Sequence, residues 1–310
     1  MIAKTVYKDR SEWLKYRKAG FVVGSSDVGT ILGLNKYLTP LKMWEQYRDG
    51  ASNEENQNTS RGVYMEDGIS KWFESETGNK IVKRSSEIRV YHNDKYPEWM
   101  ECAPDREVFK GDRKCRALLE VKDTRLVVDM EDLNSIPDIW YAQIQFQMGI
   151  SGYKQTYICI CDGNKSLQYR LFDFDEDYFE YIVNYVITWV DTHITKGIAP
   201  AAETANDVCS IYPHSTDKVL RVNMDVYDKW CELCVKRAEL GRIEKEVEIL
   251  KNDIVVIFDD SDTMEYEGHK LATYKSSVRT SVDTKRLMAE FTDVYNELKT
   301  TKEIRTLLIK

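Results

Sequence analysis

Two stretches of the chain bring together the residue types that phosphodiester hydrolysis needs: Ala103-Pro104-Asp105 and, downstream, Leu118-Leu119-Glu120-Val121-Lys122. The second stretch reads as a strand, on which residues two apart share a face. Glu120 and Lys122 then point together into a cleft while Leu119 and Val121 face the core. Asp105, delivered by a neighbouring strand, would converge on Glu120. Two carboxylates give hard oxygen ligands for Mg²⁺, the ion polarises the phosphate and acidifies water, and the lysine orients that water or offsets developing charge. An acidic residue two positions before a lysine is weak evidence alone, since Asp112/Lys114, Asp283/Lys285 and Glu297/Lys299 share the spacing. Glu120/Lys122 differs in ending an apolar β run downstream of a Pro-Asp; the competing reading is an edge strand with a solvated ion pair.

Three further groups could join this chemistry. Arg61-Gly62-x-x-x-Glu66 opens a helix, where Gly62 permits close backbone approach and Glu66 could bring a third carboxylate, or could be an ordinary exposed glutamate. Gln143, within Tyr141-Ala142-Gln143-Ile144-Gln145, offers an amide that can donate to a phosphate or to an attacking water, although a surface glutamine is the commoner meaning. Arg17 with Gly24-Ser25-Ser26-Asp27 joins a guanidinium to hydroxyls and a helix N-terminus, the parts of an anion pocket; taken singly, Ser25, Ser26 and Asp27 are an N-cap and first-turn signal.

The elements around these residues describe an α/β core. Short helices are expected over Glu12 to Asp49, a solvated polar loop over Ala51 to Ser60 and a helix over Val63 to Glu76. Short β pieces follow at Ile88 to Tyr91, Trp99 to Ala103 and Ala117 to Val121, separated by Asn-Asp, Pro and Gly-Asp turns. Trp140, Tyr141, Ile144 and Met148 fall at helical spacing; Thr156 to Cys161 and Leu167 to Phe174 read as strands paired around an Asp162-Gly163-Asn164 turn, and Tyr178 to Ile194 as a helix. The organisation expected is a catalytic domain over 1–199, a linker over 200–215 and a helix-rich appendage over 216–310. The appendage holds a long charged helix from Asp225 to Leu250 with near-heptad apolar positions, short strands at Ile254 to Phe258 and His269 to Lys275, and a final helix from about Asp283.

With 310 residues, 42% hydrophobic and 31% charged, the chain is long and apolar enough to bury a core. No window approaches the roughly 18 apolar residues of a membrane helix, and no signal peptide is expected at the start. Seven cysteines at irregular spacing suggest no disulfide scaffold, so a reduced, cytoplasmic protein is expected. Four histidines leave few candidates for histidine-based catalysis, whereas 52 acidic residues leave many for magnesium. A net charge of −8 argues against a histone-like binder but permits a locally positive cleft for DNA.

The ordered succession Trp13-Leu14-x-x-Arg17, Gly24-Ser25-Ser26-Asp27-Val28, Ile31-Leu32-Gly33, Arg61-Gly62-x-x-x-Glu66, Pro104-Asp105, Glu120-Val121-Lys122 and Gln143-Ile144-Gln145-x-Gln147-Met148 resembles the lambda-exonuclease and YqaJ-like viral recombinase family of the PD-(D/E)XK nuclease superfamily. The resemblance covers roughly Glu12 to Asp162 and implies a restriction-endonuclease-like core: a mixed central sheet flanked by helices. It implies a metal-dependent exonuclease that digests one strand of duplex DNA from its 5′ end and leaves a 3′ tail for a single-strand annealing partner. By the match, Asp105, Glu120 and the Val121 carbonyl hold Mg²⁺, for which Mn²⁺ would substitute. Lys122 acts on the nucleophilic water and Glu66 supports the metal. Arg17, Ser25, Ser26 and Gln143 meet the 5′ phosphate or the scissile region. It further implies a phage or prophage protein in a bacterial host and a closed homo-oligomer, most simply a trimer, enclosing the duplex. Departures from the family pattern are Arg106 in place of glycine after Pro-Asp, a long charged loop between Asp105 and Glu120, and Asp123-Thr124 in place of Cys-Pro.

Other features read as ordinary. Cys231-x-x-Cys234 lies in a helical pattern without a second pair at zinc spacing, and the absence of any cysteine before Cys102 speaks against an iron–sulfur cluster. Tyr37, Trp44 and Tyr64 could stack on bases, with core or interface packing as the default. Two other functions stay open: an endonuclease of the same fold, and a DNA-end-binding recombination partner whose site is vestigial.

Overall fold

The computed structural model describes residues 1–50, 57–82, 87–109, 116–126, 128–162, 166–216, 218–301 and 306–309. Residues 51–56 of the polar run, residues 110–115 of the stretch expected as a charged loop before Glu120, and the turn residues Gly163 and Asn164 lie outside them, and the described remainder of that stretch is strand rather than loop. The chain divides into two units, Met1–Ile211 and Tyr212–Lys310.

The first unit is built on a five-stranded mixed sheet in the order β2 (Lys80–Ile81), β4 (Arg106–Phe109), β5 (Arg116–Asp123), β6 (Gln155–Cys161) and β7 (Leu167–Asp173). β4 and β5 are antiparallel, with Arg106 opposite Leu119, whereas β5 and β6 are parallel, with Glu120 opposite Ile158. A parallel pair needs a crossover, and α5 (Asp138–Ser151) supplies it. The two-residue period of β5 sends Ala117 and Leu119 toward α4 (Gln57–Thr77), where they pack with Ile69 and Phe73. Leu118, Glu120 and Lys122 therefore face α5.

On the α5 side, Ile144 packs with Ile158, Ile160 and Phe172. Ala142, Phe146 and Ile150 pack with Val28 and Ile31 of α2 (Ser25–Ile31) and with Phe179, Ile182 and Val186 of α6 (Glu176–Trp189). Two glycines allow these helices to touch: a Cβ on Gly29 would stand 2.3 Å from Ile139 Cγ1, and one on Gly149 would stand 2.2 Å from the Phe179 ring. Around this core lie α1 (Arg10–Ala19), α3 (Pro40–Asp49) and an antiparallel ribbon of β1 (Ile2–Tyr7) and β3 (Ile88–Asn93).

Several local expectations are corrected. Residues Trp99 to Ala103 form no strand, only single bridges from Met100 to Val23 and from Cys102 to Tyr91. Within 200–215, read as a linker, lies α7 (Ala205–Ile211): the buried Asp207 accepts bonds from Thr39 Oγ1 at 2.8 Å and from the Glu203 and Thr204 amides, and that network holds the segment to the first unit. In the second unit, α8 (Met224–Phe258) absorbs the strand expected at Ile254 to Phe258, because no glycine or proline stops the helix after Leu250. Beyond it come the hairpin of β8 (Thr263–Tyr266) and β9 (His269–Thr273), α9 (Thr284–Glu290), capped by Asp283, and α10 (Thr292–Leu298). Among the described residues no helix is long and apolar enough to cross a membrane.

Candidate active site

Glu120 is buried between β5 and α5, with 3% of its surface exposed. Its Oε1 accepts from Lys122 Nζ at 2.7 Å and from Gln143 Nε2 at 2.6 Å, and its Oε2 accepts from Gln147 Nε2 at 2.8 Å. Lys122 Nζ also donates to Gln143 Oε1 at 2.9 Å, which closes a three-residue ring. The ring is possible because α5 presents Gln143 and Gln147 one turn apart, on the side that meets the Glu120/Lys122 face of β5. The ammonium offsets the carboxylate's charge where water cannot.

Asp105 ends the segment before β4, and its Oδ2 accepts the Val121 amide at 2.8 Å. The antiparallel β4/β5 pairing thus delivers Asp105 beside Glu120 and orients the Val121 peptide. Burial pushes the Asp105 carboxyl well above the usual carboxylate range, and the charges of Glu120 and Glu66 push it further; Lys122 and the Val121 amide oppose the rise. Close carboxylates of this kind gain from a cation placed between them.

Glu66, in the first half of α4, reaches the same edge of the sheet but is held there by Arg106, whose Nη1 donates to Glu66 Oε1 and, at 2.7 Å, to the Asp105 carbonyl. Asp123 is matched by Arg61, with Nε at 2.7 Å from Oδ2 and Nη2 at 3.1 Å from Oδ1, so two departures from the family pattern carry paired charges. Among the described residues, no three His, Cys, Asp or Glu side chains form a metal-holding group. The hard oxygens that converge are those of Asp105 and Glu120, with the Val121 carbonyl directly after Glu120 in sequence. Two carboxylates with remaining positions left to water and phosphate suit Mg²⁺, which seldom takes an all-protein cage.

The expected anion pocket is only partly assembled. Arg17 Nη2 donates to Asp27 Oδ2 at 2.7 Å, and the same oxygen accepts the Gly24 amide at 2.8 Å. The guanidinium also lies 5.3 Å from the Trp13 ring centroid. Ser25 is buried and accepts from Gln147 Nε2 at 3.3 Å, which ties the first turn of α2 to Glu120; Ser26 is exposed. Tyr37 and Tyr64 are exposed, whereas Trp44 is packed: its Nε1 donates to the His193 carbonyl at 2.7 Å and Arg48 covers its ring. Cys231 and Cys234 sit one turn apart on α8.

Sequence reasoning gave no role to Gln147, Arg106 or Asp123. Gln147 was visible as the third glutamine of a 143/145/147 run, but its selection depends on the helix face. Arg61 and Asp123 are 62 positions apart, so their pairing needed the fold.

Pro104-Asp105 at the head of β4 and Glu120-x-Lys122 on β5 of a mixed sheet give the arrangement of a restriction-endonuclease-like PD-(D/E)XK core. Residues 12–154 match the model of the YqaJ-like viral recombinase domain. A curated relative, the uncharacterized protein YqaJ of Bacillus subtilis (strain 168), is 25% identical over 323 residues, spanning 100% of this chain and 97% of the relative. Among solved structures, the alkaline exonuclease LHK-Exo from Laribacter hongkongensis is similar with a TM-score of 0.46 and 15% identity, over 60% of this chain and 93% of the other. A phage related exonuclease from Haemophilus somnus 129PT gives 0.39 and 15%, over 57% and 96%. Both likenesses are distant and carry no functional argument.

Proposed function

We propose that the chain is a metal-dependent DNA exonuclease that hydrolyses one strand of linear duplex DNA from the 5′ end, exposing a 3′ single-stranded tail for strand-annealing recombination. The observation that carries this reading is the ring of Glu120, Lys122 and Gln143 beside Asp105 at the end of a buried strand. The family match over residues 12–154 supports it.

Asp105, Glu120 and the Val121 carbonyl are the groups that would hold Mg²⁺ or Mn²⁺, with Glu66 supporting from α4. When bound, the ion supplies Lewis-acid polarisation of the phosphate and a more acidic water. Lys122, steered by two acceptors, has its ammonium fixed within reach of Glu120 and can orient the attacking water or offset charge on the phosphate. Gln143 keeps both partners in register: its carbonyl takes the lysine and its amide takes the carboxylate. Arg17, Ser25 and Ser26 are assigned to the terminal 5′ phosphate, with Asp27 holding the guanidinium until phosphate competes for it.

Double-stranded DNA ends are the substrate in this reading, and a single-strand annealing protein is the partner that receives the tail. An acidic chain holds a long duplex poorly by bulk charge, so processive digestion would come from a closed ring, most simply a homotrimer. Digestion of linear duplex labelled at the 5′ or the 3′ end, with Mg²⁺ or with chelator, tests the reaction. Early release of 5′ label in Mg²⁺ alone is expected, and first release of 3′ label would reverse the assigned polarity. Light scattering at micromolar concentration tests the ring: a monomer that digests processively would refute it.

A further inference from the structure

Arg106 follows Asp105 directly, at the position the family resemblance fills with glycine. Its side chain is 2% exposed and faces α4, on the same side of β4 as Val108. One nitrogen, Nη1, bonds both Glu66 Oε1 and the Asp105 carbonyl, and Nη2 stands 3.6 Å from Asp67 Oδ1. A guanidinium keeps its proton in proteins, and this one is almost fully buried against Glu66. A permanent positive charge therefore stands between the third carboxylate and the backbone of the first.

Two-ion nuclease sites place their cations about 3.5–4 Å apart and need carboxylate oxygens for each. Here Glu120 already receives three donors, and Asp105 Oδ2 takes the Val121 amide. Glu66, the carboxylate that could share a second ion with Asp105, is committed to Arg106. We propose that Arg106 is a built-in cation occupying the place of a second divalent ion, so that the site takes one metal ion, on Asp105 and Glu120. Glu66 then serves the site through Arg106, and Arg106 is a positioning residue that locks the Asp105 main chain to α4. The inference rests on the metal-dependent reading above.

The test counts Mn²⁺ bound to the full chain without DNA, by electron paramagnetic resonance of the free ion. Sites are taken as the difference from an Asp105→Asn/Glu120→Gln double variant, which removes surface binding from the count. One ion is expected for the wild type and for Arg106→Lys. Arg106→Gly, with its fold checked by circular dichroism, is expected to take two, because Glu66 is released. Glu66→Gln is expected to keep one ion with affinity within tenfold of the wild type, since Asp67 already stands near to receive the guanidinium. Two ions on the wild type, one on a folded Arg106→Gly, or a loss beyond tenfold in Glu66→Gln would each overturn the proposal. Should Arg106→Gly fail to fold, the wild-type count and Glu66→Gln still decide it. No specific ion on the wild type would instead remove the metal-dependent reading itself.

Discussion

Glu120→Gln is expected to abolish nuclease activity while leaving the fold in place, and the hydrogen bonds around the carboxylate say why. Three donors meet its two oxygens: Lys122 and Gln143 on Oε1, and Gln147 on Oε2. A glutamine can keep its carbonyl toward the first two and turn its amide toward Gln147. Gln147 then has to flip and present its own Oε1, which in the wild type is buried without a partner. Ser25, 3.3 Å from the Gln147 amide nitrogen, can rotate its hydroxyl from acceptor to donor. The bonds from Gln143 and Gln147 become neutral ones and the bond from Lys122 loses its anionic acceptor, at a cost of about 1 kcal/mol each. Against that, a buried charge and its repulsion of Asp105 disappear, which offsets much of the loss. The net change should lie within about 2 kcal/mol, or at most about 8 °C in Tm for a domain of this size. Activity loses one of two carboxylate ligands, worth several kcal/mol, and so falls at least about a thousandfold. Release of labelled nucleotide from linear duplex, together with a thermal melt, measures both. A variant that digests at the wild-type rate, or one that loses more than about 15 °C in Tm, would refute the reasoning.

Other expectations follow from neighbouring contacts. Lys122→Ala should also abolish digestion in the same assay, with Mn²⁺ binding retained because no oxygen ligand is removed. Arg17→Ala should narrow the preference for 5′-phosphorylated over 5′-hydroxyl ends by about tenfold, the worth of a charged phosphate contact, and paired end-labelled substrates check it. Glu107 gives a pH prediction: burial alone would raise its carboxyl, but bonds from Tyr91, Arg89 and Tyr153 hold it down at about 2. A depressed carboxyl stabilises the fold above its unfolded value and loses that contribution as pH falls toward the folded one, so wild-type stability should drop between about pH 4.5 and 2. Glu107→Gln should flatten that arm in acid denaturation followed by circular dichroism. Gly149→Ala should cost about 1–3 kcal/mol in urea unfolding, because its Cβ would meet the Phe179 ring.

What was legible in the sequence was local. The apolar β run from Ala117 to Val121 marked the strand, and the two-residue period of any strand then gave the common face of Glu120 and Lys122, without knowledge of any partner. The spacing of Trp140, Tyr141, Ile144 and Met148 likewise gave α5. What was not legible depends on contacts far along the chain. β1 is exposed on nearly every residue and exists by pairing with β3, so its own pattern shows nothing. α7 forms around Asp207 and Thr39, residues 168 positions apart. Arg106 read only as a departure from the family pattern, and became intelligible once α4 brought Glu66 to it.

Incubation of the purified chain with Mg²⁺ and a mixture of linear and covalently closed circular duplex DNA of the same sequence tests the central claim most directly. Digestion of the linear duplex through intermediates with 3′ single-stranded tails, beside an intact circle, is predicted. Linearisation of the circle would make the enzyme an endonuclease. Binding of ends without loss of nucleotides, in Mg²⁺ and in Mn²⁺, would contradict catalysis at the Asp105/Glu120/Lys122 site altogether.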